Sequence, residues 1–241
     1  MFGYVICKIE PLLANLSDQP KVDRSRGDLI GPWSSCQEII MDFTTVDPFE
    51  GATALAEALT VNTTVSIINL QNNSIGVEGA IALAEALTVN ATVTEIHLQN
   101  NSIRAEGAAE LADALIVNAT VTSLNLFSNS IGSPGARALA EMLKVNTTIS
   151  SIHVMNNSIG AEGAIVLAEA LKLNTAVTSI NLFNNTIGPE GAVAFSEMLK
   201  VNTTISRIDL KYNSIEMKGF VALKEALMVN GKVSIEGLSP T

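Results

Sequence analysis

Aromatic side chains are scarce: 4 % of the 241 residues, with one tryptophan, two tyrosines and seven phenylalanines. The 47 % hydrophobic content must therefore pack as aliphatic side chains and alanine, in one elongated domain. Long hydrophobic runs are also missing, because polar residues break the apolar stretches every two to four positions. That excludes a membrane-spanning helix. The first eight residues, Met1 to Lys8, have neither a basic region nor a clear apolar one, so no secretory signal is expected. Basic residues number only 14 against 24 acids and form no run, which disfavours nucleic acid as a partner. No Gly-x-x-x-x-Gly-Lys-Ser/Thr segment occurs, so the chain carries no phosphate-binding loop. Two cysteines, Cys7 and Cys36, do not make a disulfide framework. Cys36 falls on an apolar position, where a thiol serves as a small hydrophobe, and a reduced, cytoplasmic setting is the expectation.

What the chain has instead is self-similarity. From Thr63 it divides without insertion into six equal blocks, 63–90, 91–118, 119–146, 147–174, 175–202 and 203–230. Each block spaces its apolar residues in one way: Val121, Leu124, Leu126 and Ile131, with Asn129 two before the last; likewise Val65, Ile68, Leu70, Asn73 and Ile75, and Val177, Ile180, Leu182, Asn185 and Ile187. A worn seventh copy, 35–62, precedes them, with Cys36, Ile39, Met41, Thr44 and Val46 in the same frame. The domain expectation is a repeat array over 35–230, an N-terminal cap or extension over 1–34 and a C-terminal tail or cap over 231–241.

Ser123 to Phe127 alternates polar and apolar residues, the pattern of a short half-buried strand. Gly79 to Leu87, rich in Ala, Leu and Glu, reads as an amphipathic helix of about two to three turns. Pro134 and Pro189 fall near its start, where a missing N–H costs nothing. Asn90, Asn118, Asn146, Asn174, Asn202 and Asn230 follow its end and are expected to stop it in the left-handed conformation. A second column, Asn73, Asn101, Asn129, Asn157, Asn185 and Asn213, reads as a structural ladder between turns. Strands stack about 4.8 Å apart while helices need about 8–10 Å, so the array curves with a parallel sheet inside. The expected fold is an α/β solenoid, a curved horseshoe with helices on its convex side.

The acids form two columns: Glu78, Glu106, Glu162 and Glu190 before the helix, and Glu57, Glu85, Asp113, Glu141, Glu169, Glu197 and Glu225 within it. Both belong to the outer face, so the net charge of −10 is read as solubility and helix-dipole complementarity. Ten Asn-x-Ser/Thr sequons follow from the repeated Asn and Thr columns and say little about secretion.

On the concave face the strands present three columns, of which the third holds Phe127, Met155 and Phe183 on consecutive turns. This apolar strip is rimmed by His97, Asn125, His153 and Asn181, with Arg207, Lys211 and Tyr212 at one end. Apolar clusters with polar rims mark protein-binding patches, and these ten residues are the candidate binding site. His97 and His153 stand two strands, about 10 Å, apart with no third ligand, so no metal site is expected. No carboxylate orients a Ser–His pair, except for Glu95 beside His97, and no catalytic residue or cofactor is assigned.

At the ends, Pro11, Leu12, Leu13, Leu16, Leu29, Ile30, Pro32 and Trp33 supply apolar mass to cover the first turn, around a polar loop from Ser17 to Asp28. Lys232 to Glu236 is expected to add one edge strand. So thin a C-terminal cap leaves that end open to self-association or an assembly contact.

The recurring Asn-x-x-Ser-Ile-Gly-x-Glu-Gly-Ala-x-Ala-Leu-Ala-Glu-Ala-Leu-x-Val-Asn resembles the ribonuclease-inhibitor-like class of leucine-rich repeats and is similar to the repeat arrays of NOD-like receptors. The resemblance covers residues 36–230. It implies protein partners on the concave face or the strand-adjacent edge. Two departures limit it: no nucleotide-binding domain is present, and the alternating Cys-bearing repeats of ribonuclease inhibitors are missing. The expected function is a non-catalytic interaction or scaffold module, of a kind that can serve as one subunit of a larger assembly. The alternatives are a regulator such as a Ran-type GTPase activator, and a free-standing immune-type recognition protein.

Overall fold

The computed structural model describes residues 6–9, 21–23, 28–30, 36–43 and 47–238. Seven strand–helix turns follow one another: β4 (Glu38–Met41) and α1 (Pro48–Leu59), β5 (Ile67–Asn69) and α2 (Gly76–Leu87), β6 (Glu95–His97) and α3 (Arg104–Val117), β7 (Ser123–Asn125) and α4 (Gly132–Val145), β8 (Ser151–His153) and α5 (Gly160–Leu173), β9 (Ser179–Asn181) and α6 (Gly188–Val201), and β10 (Arg207–Asp209) and α7 (Glu216–Val229). A last strand, β11 (Ser234–Glu236), follows α7, and Ile6–Ile9 forms β1 ahead of them. These nine strands make one sheet in the order β1-β4-β5-β6-β7-β8-β9-β10-β11, every neighbour parallel. From β5 to β10 the register steps by one whole repeat per strand, as in Ser123↔Ser151 and Leu124↔Ile152.

Within the expected N-terminal cap, residues 6–9 extend this same sheet, since β1 pairs with β4. The expected loop from Ser17 to Asp28 needs correcting: Lys21–Asp23 (β2) pairs antiparallel with Asp28–Ile30 (β3). The remaining cap residues, with Thr44 and Val46 of the first turn, lie outside the described residues. Cys36 is fully buried, but its sulfur is in a disulfide rather than a free thiol.

The helices run 12 to 14 residues, three to four turns, longer than the pattern predicts. The difference lies at their start. Gly76 to Glu78 belong to the first turn of α2, so the Glu78 column sits inside the helix and complements its N-terminal dipole directly. Each helix buries one stripe, in α2 Ala80, Leu83, Ala84 and Leu87, against the sheet and the neighbouring helices.

Close helix contact rests on a glycine in every turn. A Cβ on Gly163 would lie 2.9 Å from the Ala136 Cβ and 2.6 Å from Ile159 Cγ2. The same holds along the array: Gly79 faces Ala52, Gly107 faces Ala80 and Gly219 faces Ala192. Helix propensity alone would make Gly163→Ala stabilising by about 1 kcal/mol. The clash is larger, and the substitution is expected instead to destabilise by about 1–3 kcal/mol, read from denaturant unfolding midpoints.

The seventh turn keeps this contact through Gly219 but presents different residues onward. Where six turns carry Ala52, Ala80, Ala108, Ala136, Ala164 and Ala192, it carries Phe220; where they carry buried Ala56, Ala84, Ala112, Ala140, Ala168 and Ser196, it carries Lys224. Lys224 Nζ stands 5.6 Å over the Phe220 ring. A further turn of this type would find Phe220 and Lys224 where the other turns offer alanine or serine.

Two asparagine ladders tie the turns together. Asn129 Nδ2 donates to Leu98 O of the preceding turn at 2.8 Å, and its own N–H donates to Asn157 Oδ1 at 2.9 Å. The pattern recurs from Asn73 to Asn213. The second ladder differs from expectation. Asn118 is extended, with φ −72° and ψ 127°, not left-handed. It ends α3 by accepting from Thr120 and Val121 N–H, both at 2.9 Å, while donating to Leu87 O at 2.8 Å. The left-handed residues lie between strand and helix, at alternate positions such as Asn72, Ser74 and Gly76. The sequon asparagines Asn90, Asn118, Asn146 and Asn202 are buried with their amide nitrogens committed to carbonyls, so glycosylation there is incompatible with the fold.

Candidate functional site

Two of the three expected columns line up in register across β5 to β10, so the polar residues Glu95, Ser123, Ser151 and Ser179 run beside His97, Asn125, His153 and Asn181. Phe127, Met155 and Phe183 follow the strand ends on consecutive turns. All three are half-buried, so the strip is less open than the sequence suggests. Asn125 and Asn181 help to place the rings: their Oδ1 atoms accept from Phe127 N–H at 3.1 Å and Phe183 N–H at 3.0 Å.

Tyr212 is the exposed member of this group, at 73 %. Its ring meets that of Phe183 edge-on, with centroids 4.8 Å apart. Its backbone has φ +58°, at the position where other turns place Asn72, Asn100, Ser128, Asn156 and Asn184. Asparagine tolerates that conformation by bonding locally; a bulky ring there is an outlier.

The basic end of the site is not free. Arg207 Nη2 and Lys211 Nζ each lie 2.6 Å from a different oxygen of Glu236 on β11. The bonds from Lys211 and then Arg207 hold the Glu236 carboxyl below its ordinary value, and the same contact holds Lys211 above its own.

The histidines are separated in role as well as in space. Ser151 Oγ is 3.1 Å from His153 Nε2, and Glu95 Oε2 is 3.7 Å from His97 Nε2. No carboxylate orients His153 among the described residues. Nor does any group of three or more His, Cys, Asp or Glu among them gather to hold a metal ion. Burial, then the charges of His97 and Arg207, push the His153 imidazole below its usual value. The unfolded chain therefore takes up the proton first. Stability is whole above the ordinary histidine range, about 6.5, and declines as the pH falls below it. In a proton NMR titration, His153 is expected to titrate below about 6.5 and to move upward in Arg207→Ala.

A second surface has no counterpart in the sequence reading. Val117, Val145, Leu173, Val201 and Val229 end α3 to α7, Val89 follows just after α2, and all six are 57–72 % exposed. Neither ladder nor core uses them. Their period is visible, but a valine ending a helix is indistinguishable by pattern from one that the next strand covers.

Strands parallel in one sheet, each of β4 to β10 followed by a helix, define an α/β solenoid. A leucine-rich repeat family model matches residues 61–84, 89–112, 117–140, 145–168 and 173–196. The chain is a leucine-rich repeat protein, with the strand–helix turns of the ribonuclease-inhibitor-like class. No curated protein matches it. Among solved structures it is similar to the actin-binding site 2 of leiomodin-1, at 28 % identity over 55 % of this chain and 75 % of that one, with a TM-score of 0.47. It is similar also to LegL7 from Legionella pneumophila, at 16 % identity over 81 % and 72 % with a TM-score of 0.46. The C-terminal domain of tropomodulin from Caenorhabditis elegans matches at 19 % identity over 54 % and 77 %, with a TM-score of 0.45. No helix of the described residues is long and apolar enough to cross a membrane.

Proposed function

We propose that this chain is a non-catalytic protein-binding module whose concave face, centred on Tyr212, Phe183, Met155 and Phe127, receives a partner protein. Tyr212 carries the reading: an exposed ring held in a left-handed backbone position that the other turns give to Asn or Ser. Strain that the fold does not need points to use elsewhere, and exposed tyrosines supply large contact area at interfaces. His97, Asn125, His153 and Asn181 form the polar rim.

The exposed column from Val89 to Val229 favours a second reading, in which the helix-end edge is the docking surface. Affinity capture from cell extract, with mass spectrometry of recovered proteins, separates the two. Tyr212→Asn restores the residue type of the other turns, so it is expected to keep or raise stability while a specific partner falls by about tenfold or more. Val145→Asp/Leu173→Asp is expected to leave that partner in place. The reverse result moves the site to the edge; a partner indifferent to both sets overturns both surfaces. If the recovered partner is a small GTPase, a hydrolysis assay distinguishes a Ran-type activator from a scaffold.

A further inference from the structure

We propose that β11 is an internal stand-in for an extended acidic segment of a partner protein, which replaces it on the edge of β10 and in the Arg207–Lys211 clamp. The proposal rests on the concave face being a protein-binding surface, and it names the chemistry of the segment bound at its C-terminal end.

β11 is held differently from every strand before it in the array. The asparagine ladder stops short. In the β10–β11 register its next rung after Asn213 would fall at position 240, which is a proline, and residues 231–241 contain no asparagine. What remains is a three-residue ladder, with Ser234 N–H on Ser206 O at 2.8 Å and Leu210 N–H on Glu236 O at 2.9 Å. Val233 is buried and Ile235 is half-buried against the core.

The specific hold is Glu236. In the concave columns of β5 to β10, Arg207 and Lys211 are the only arginine and lysine, and one carboxylate bridges them. Asp209 between them is buried and spends Oδ1 on Lys211 N–H at 3.0 Å, so it does not replace Glu236. With β11 gone, the edge of β10 offers unpaired backbone groups, two cations and the adjacent Tyr212 ring. An extended segment with the pattern apolar-x-apolar-acidic, as in Val233 to Glu236, pairs the backbone groups, fills the core positions of Val233 and Ile235 and bridges both cations. The segment adds as a parallel strand, its carboxylate supplying the specificity.

The internal strand competes at high effective concentration, because only Asn230 to Val233 join it to α7. Weakening it is therefore expected to expose the site. The probe is a fluorescein-labelled peptide of residues 232–238, titrated into the full chain and read by fluorescence anisotropy. Glu236→Gln is expected to bind it about tenfold or more tighter than the unaltered chain. A probe carrying glutamine at the same position is expected not to bind. Equal binding by both chains, binding by neither, or binding of the glutamine probe overturns the proposal. Hydrogen exchange on the unaltered chain gives an arm that needs no variant. The Leu210 amide, bonded to Glu236 O, is expected to exchange about tenfold or more faster than the Leu182 amide, bonded to Asp209 O; equal protection also overturns it. Should the probe fail while Tyr212→Asn still abolishes partner recovery, the strand-exchange idea falls and the concave site stands.

Discussion

Replacing Asn157 by alanine is expected to lower stability by about 3–5 kcal/mol, at the upper end of what one substitution does. The side chain is fully buried and ties its own turn to the preceding one through both ends. Nδ2 donates to Leu126 O at 2.8 Å and Met155 O at 3.0 Å, while Oδ1 accepts from Asn129 N–H at 2.9 Å and, more weakly, from Ile131 N–H at 3.4 Å. Alanine leaves these backbone groups dry and unpaired, each at about 1–3 kcal/mol before relaxation. Asn157→Asp keeps the acceptor but loses both donated bonds and turns a charge toward carbonyl oxygens. It is expected to be at least as damaging at neutral pH and partly relieved in acid, where the carboxyl regains a proton to donate. Denaturant unfolding across pH measures both; a loss below about 1 kcal/mol for the alanine variant would mean the turns hold register without the ladder.

Phe195→Ala is expected to cost a similar amount, about 3–5 kcal/mol, for an unrelated reason. Phe195 is the largest fully buried side chain, at a position where other turns carry Leu55, Leu83, Leu111, Leu139, Leu167 and Leu223. Its neighbour Ser196 is small and buried, its hydroxyl bonded to Val193 O at 2.7 Å, so nothing adjacent can swing in to refill the space. Phe195→Leu, matching the other turns, is expected to stay within about 1.5 kcal/mol. Leu173→Ala, removing an aliphatic group of equal chemistry that is 72 % exposed, is expected to change little, within about 0.5 kcal/mol. Thermal and denaturant unfolding of the three variants side by side tests whether burial, rather than apolar character, sets the loss.

The array itself is legible because its period is rigid. Once Val121, Leu124, Leu126 and Ile131 are in register, the core, the sheet order and the Asn129 ladder follow. Local backbone detail is less so. Asn118 looks like a left-handed stop because asparagine favours that role, yet its amide finds better partners in Leu87 O behind and Val121 N–H ahead, which need an extended backbone. Helix starts read too late because Gly76 and Ser74 resemble turn residues, as Ser74 indeed is. Least legible is whatever the repeat does not contain: the Glu236 clamp, set by a tail with no period, and the disulfide state of Cys36. The spacing puts the concave rings on consecutive turns, but how far each sinks depends on neighbours such as Asn125 that no spacing rule reports.

The near-identity of the turns raises a problem of phase. Locally, the contacts of α4 on α3 look like those of α5 on α4, so a chain that pairs one turn with the wrong neighbour satisfies most of the same bonds. Folding by neighbour contacts is quick to begin anywhere and slow to correct a slip of a whole turn. The features that break the period then act as the origin of the count. The mixed first turn on β1 and β4 marks one end, and Phe220, Lys224 and the Glu236 clamp mark the other. What looks like wear in the terminal turns is how the chain knows which of its interchangeable parts comes first.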